Sequence, residues 1–185
     1  MKLISCINEL RSLKNCTQCN ILQLDQGLFE IIHTRLRYLK QEIRISIGEE
    51  MGPIDYQRIT LTAEFYRVAS LLYLCELAPS QATPEKAVHG LVRDSLLLIE
   101  QMGVCTSPWP LFILACNVTS DEERLKLLAI LNNMNEKRRI GNYQTIKGLI
   151  QAFWKQQDLA MDEKAPKQID WRGLLDPNSC VPSFI

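Results

Sequence analysis

Leu61, Phe65, Val68, Leu72 and Cys75 recur at steps of four, three, four and three. Only an α-helix brings residues so spaced onto one face, because its 3.6-residue turn stacks every third or fourth side chain. The segment opens at Gly52-Pro53 and closes before Pro79. Proline suits the first turn, where the missing N–H has no partner to lose, and beyond the end, where the helix has to stop. The same grammar recurs along the chain. Leu28, Ile31, Ile32, Leu36, Leu39 and Ile43 predict a helix from Leu24 to Ile47, ending at Gly48. Thr83-Pro84 opens another that places Val88, Leu91, Ser95, Leu98 and Met102 on one face and stops at Gly103.

Ser120 and Glu123 have the spacing of a capping box, and Asp121, Glu122 and Glu123 match the positive end of the next helix. That helix carries Lys137, Arg138 and Arg139 at its far end, before Gly141. Tyr143, Ile146, Ile150 and Phe153 mark a further helix over about 142–158, with weaker or shorter ones over 3–15 and 169–175. Ile43 to Ile47 is the one convincing period-two stretch, and no Asn-Gly or Asp-Gly hairpin turn joins alternating runs. The expectation is an all-α chain of seven or eight helices, packed as one irregular helical domain over 1–185.

Its 185 residues, 46% of them apolar, suffice for a core burying roughly 70% of the unfolded surface. Lys and Arg number 21, as do Asp and Glu. No net positive field holds a phosphate backbone, which argues against direct nucleic-acid binding by this chain. No apolar run reaches the roughly 18 residues of a membrane span, and the N-terminal stretch is too short for a signal peptide before Glu9 and Arg11. The seven cysteines are odd in number, which fits a reducing compartment. Cys75 and Cys116 sit in apolar sequence and read as small hydrophobes.

The candidates for chemistry are sparse. Cys16 and Cys19 form a CxxC pair, but no second pair or paired histidines follow at zinc-finger spacing. Asp121 and Glu122 are candidate magnesium ligands, yet consecutive helical residues diverge by about 100° and no second acidic cluster answers them. Capping accounts for these acids better. His33 and His89 have no triad-like neighbours, and the eight glycines are dispersed with no phosphate loop among them. The basic groups Arg35/Arg37/Lys40 and Lys137/Arg138/Arg139 read as solvated faces. No catalytic residue, metal ligand or cofactor is assigned. Trp109, Phe112, Cys116, Phe153 and Trp154 are candidates to line an apolar ligand pocket, and equally candidates for plain core. The expectation at the corner 107–116 is that Trp109 and Phe112 anchor it in the core.

Four stretches in this order carry a family resemblance: LTAEFYRVASLLYLCEL at 61–77, SPWPLFILACNVTSDEERLKLLAIL at 107–131, GNYQTIKGLIQAFWKQQD at 141–158 and IDWRGLL at 169–175. Over about 60–175 the chain resembles the C-terminal part of the fungal-specific transcription factor domain of zinc binuclear-cluster regulators. The shared pattern is an apolar helix with a Tyr-Arg step, a Trp-Pro-Leu-Phe corner, a capped helix with an arginine, an Asn-initiated helix ending in Trp and Asp, and a final Asp-Trp. The resemblance implies an all-helical regulatory domain of a nuclear transcription factor acting on RNA polymerase II genes, in some members responding to a small ligand. It further implies co-regulators or the transcription machinery as partners, with homodimerisation an open option. The family's zinc cluster follows its CxxC with a third cysteine, and Gln26 stands at that place here. Zinc is therefore expected only in a separate DNA-binding module. A helical protein-interaction scaffold that senses no ligand is the alternative reading.

Overall fold

The computed structural model describes residues 26–40, 52–77, 85–105, 107–137 and 142–161. They form six helices: α1 (Gln26–Arg37), α2 (Pro53–Leu77), α3 (Glu85–Met102), α4 (Pro108–Asn117), α5 (Asp121–Lys137) and α6 (Asn142–Met161). Among the described residues the all-α expectation holds, with six helices where seven or eight were expected over the whole chain. The helices expected over 3–15 and 169–175, and Cys6, Cys16 and Cys19, lie outside the described residues. No described helix is long and apolar enough to cross a membrane. The helices gather into two compact units that divide between Met102 and Gly103.

In the first unit α2 packs against both α1 and α3. Phe65, Val68 and Leu72 are buried, as their spacing predicts, and so are Ala69, Ser70, Leu71, Tyr73 and Leu74. A helix covered on every side in this way is the centre of its layer rather than an edge. Ser70 survives there by donating its hydroxyl to the Tyr66 carbonyl, at 2.7 Å. The predicted face of α3 is off by about one residue. Val92, Ser95, Leu96 and Ile99 are the buried set, while Val88, Leu91, Leu98 and Met102 are half-buried. Apolar residues occupy more than half the circumference of α3, so periodicity alone could not choose the side that meets α2. Gly103 follows with φ at 66°, the left-handed conformation that ends a helix and favours glycine.

The helix expected over 24–47 is shorter. It ends at Arg37, and Tyr38 closes the last turn by donating its N–H to the Thr34 carbonyl at 3.1 Å. From α2, Arg67 Nη1 donates to the carbonyls of Leu36 at 3.1 Å and Arg37 at 3.4 Å. The Leu36 carbonyl also accepts the Leu39 N–H at 3.4 Å, and a cation at a helix end matches the dipole.

The second unit is built around α4. Every residue from Trp109 to Ala115 is buried. Pro108 and Pro110 lie within its first turn, where no amide donor is needed. The prolines thus start a helix rather than form a loop corner. α6 packs on α4 and on α5.

Candidate functional site

The family-like motifs of the second unit converge where α4, α5 and α6 meet. At the start of α5 the Ser120 half of the predicted capping box is present. Glu123 N–H donates to Ser120 Oγ at 3.3 Å, and Arg124 N–H donates to the Ser120 carbonyl at 3.0 Å. Asp121, Glu122 and Glu123 fill the first turn. Asp121 is 94% exposed at its side chain and faces Arg124 at 3.8 Å. Ser120→Ala is expected to cost about 1 kcal/mol and Ser120→Gly a few tenths, measured as shifts in the urea midpoint.

Arg124 reaches across to α6. Its Nη1 donates to Asp158 Oδ1 at 2.8 Å, its Nη2 donates to Gln157 Oε1 at 3.2 Å, and its guanidinium lies 5.4 Å from the centre of the Trp154 ring. The planar fork of arginine suits this combination of ring stacking and paired acceptors, where lysine would keep only a point charge. Arg124 Nε and Glu123 Oε2 are buried without a protein partner. Trp154, 5% exposed, donates its indole N–H to the Ala115 carbonyl at 2.8 Å. That carbonyl lies in the last turn of α4, where backbone acceptors go unused by the helix. Asn117 Nδ2 donates to the Ile113 carbonyl at 2.9 Å. One tryptophan therefore ties the end of α4 to α6, and one arginine ties α5 to the same turn of α6.

The five pocket candidates separate. Trp109, Phe112, Phe153 and Trp154 are buried, and the Phe112 and Phe153 rings meet at 6.5 Å with a 59° tilt. Trp109 and Phe112 thus lie in the core, as expected at the start of α4. Cys116 is half-buried, at the margin of this core. Of the histidines, His33 is half-buried and stacks on Phe29 at 5.7 Å, and His89 is exposed. Among the described residues no three of His, Cys, Asp and Glu come together to hold a metal ion.

Sequence reasoning passed over one buried polar group. Tyr143, at the start of α6, donates its hydroxyl to the Cys105 carbonyl, and its oxygen lies 3.1 Å from Met134 Sδ. Burial pushes the Cys105 thiol from 9.0 up to about 11 and raises the Tyr143 phenol as well. Below pH 9 both groups are neutral in the folded and unfolded chain. As pH rises further the unfolded chain ionises first, so the folded state loses stability through the window between the two Cys105 values. The expected fall is on the order of 2 kcal/mol by pH ~11. Urea midpoints followed from neutral to alkaline pH test this, and Cys105→Ala should flatten the fall.

Comparison with known proteins decides what these motifs belong to. The family described as the fungal specific transcription factor domain matches residues 1–181. This chain belongs to that family. The match is wider than the 60–175 resemblance and includes α1 and the start of α2. The Pestalotiopsis fici protein described as transcription factor iacI is 21% identical to this chain over 135 residues. That stretch covers 73% of this chain and 32% of the relative. No solved structure matches. Several residues of the stretches that carry the resemblance do visible work here. Arg67 holds the end of α1, and Arg124, Trp154 and Asp158 hold three helices together.

Proposed function

We propose that this chain is the regulatory domain of a nuclear fungal transcription factor controlling genes transcribed by RNA polymerase II, and that it performs no catalysis. The single observation that carries this reading is the family match over residues 1–181. The similarity to a protein described as a transcription factor points the same way. DNA recognition belongs, in this proposal, to a separate zinc-cluster module, because Gln26 stands where the cluster spacing needs a cysteine. The chain's balanced charge supports that division. Regulation proceeds through co-regulators, and a small apolar effector acts by binding one packing state of the helices better than another. Only that difference in affinity can shift the population.

The test is a fusion of this chain to a heterologous DNA-binding domain upstream of a reporter in a fungal host. A several-fold change in reporter output against the DNA-binding domain alone is expected, and no change would overturn the regulator reading. A thermal-shift screen of metabolites and sterols addresses the effector separately. A compound that binds the native state raises the melting temperature, and the rise grows with the logarithm of its concentration above Kd. A blank screen with an active fusion would remove the ligand and leave a protein-interaction scaffold.

A further inference from the structure

α5 and α6 run antiparallel, since Arg124 meets Asp158 near one end and Asn132 meets Lys147 further along. In such a pair, stepping one residue past each facing position turns both side chains by about 100° to the same side. Leu125 and Leu159 take those steps from Arg124 and Asp158, and they are 67% and 59% exposed. Ala129, one turn on from Leu125, and Ala152, two turns back from Leu159, are exposed on that side as well. The result is an apolar surface across the α5–α6 pair. We propose that this surface is the docking site of the chain's own C-terminal segment 169–175, with Trp171 as its anchor.

Three observations select this occupant. The first is where α6 ends. It closes at Met161, two residues past Leu159, so the residues that follow start beside the surface. Residues 162–168 number seven and span up to about 25 Å when extended. From Leu159 back to Ala152 is about 10 Å along α6, so 169–175 reaches the surface by turning back over α6. Pro166 lies in that stretch, and a helix does not run through proline unbroken. The second is composition. Ile169, Trp171, Leu174 and Leu175 make four of the seven residues apolar, and tryptophan is the type that most often anchors a docked segment. The family match runs to residue 181, so the segment belongs to the same domain as α5 and α6. The third is size. Two leucines and two alanines fall well short of the roughly 800 Å² per partner that holds separate chains together. A tethered segment needs less, because its effective concentration is on the order of millimolar. The inference concerns the second unit alone and does not depend on the regulator reading.

Hydroxyl-radical footprinting of the full chain, read by mass spectrometry, tests the docking. Leu97 on α3, 45% exposed, is the reference of the same residue type. Leu125 and Leu159 should react several-fold more slowly than Leu97, although the packing of α5 and α6 leaves them the more exposed. Trp171→Ala should reverse that order, with amide exchange over Trp109–Ala115 unchanged as the sign of an intact core. Leu125→Asp combined with Leu159→Asp should speed labelling of Trp171 several-fold and exchange of the 169–175 amides roughly tenfold. Leu125 and Leu159 reacting faster than Leu97 in the unmodified chain would overturn the proposal. So would an order that ignores Trp171→Ala, or a protection lost on dilution, which would assign the surface to a second copy of the chain.

Discussion

Trp154→Ala is expected to destabilise the second unit by about 3–5 kcal/mol, the range for deleting a large aromatic from a packed site. The indole is buried among three helices, so its loss leaves a cavity that α4, α5 and α6 cannot all close. It also strips the Ala115 carbonyl of its strongest donor and removes the ring beneath Arg124. Trp154→Phe separates these contributions. It retains most of the apolar burial and loses only the N–H, at a cost of about 1–2 kcal/mol. Urea unfolding followed by circular dichroism measures both. A midpoint for Trp154→Ala within about 1 kcal/mol of the unmodified chain would show that the ring does not anchor the unit.

Trp109→Ala is expected to cost a similar 3–5 kcal/mol. Trp109 is 6% exposed in the first turn of α4, and Pro108 and Pro110 keep that turn helical after truncation. The loss is therefore one of packing and not of helix initiation. The same measurement distinguishes core from docking surface. A near-neutral Trp109→Ala would mean that the ring meets a partner instead of the core. A destabilised variant rescued by an apolar compound in a thermal shift would place a ligand against the ring.

Much of the fold was legible because its signals are local. Prolines opening helices, Gly103 closing α3 and Ser120 with Glu123 opening α5 act within one turn of where they stand. The buried stripe of Phe65, Val68 and Leu72 was legible for the same reason. The errors fell where a distant residue intervened. α1 ends at Arg37 with Arg67 of α2 on its last carbonyls, and no pattern within 24–47 encodes that contact. α3 turns a neighbouring face to α2 because its apolar residues left two faces eligible.

The candidate site divides along the same line. Its apolar members, Trp109, Phe112, Phe153 and Trp154, were readable as core from residue type and spacing. Arg67 and Arg124 were visible only as letters of a family motif, since an arginine on a helix ordinarily reads as solvated surface. Tyr143 read only as one of the apolar residues marking α6, and nothing pointed to its hydroxyl or to Cys105.

By itself the sequence determined the all-α class, most of the helix starts and stops, and the family, because helix propensity, capping and motif order are properties of neighbouring residues. Only the tertiary structure decided which helix ends are held and by what. Arg67 meets Leu36 at a separation of 31 residues, Arg124 meets Asp158 at 34, Tyr143 meets Cys105 at 38 and Trp154 meets Ala115 at 39. Such pairs form only after helices dock, when orphan carbonyls and buried charges take whichever partners the packing brings within reach.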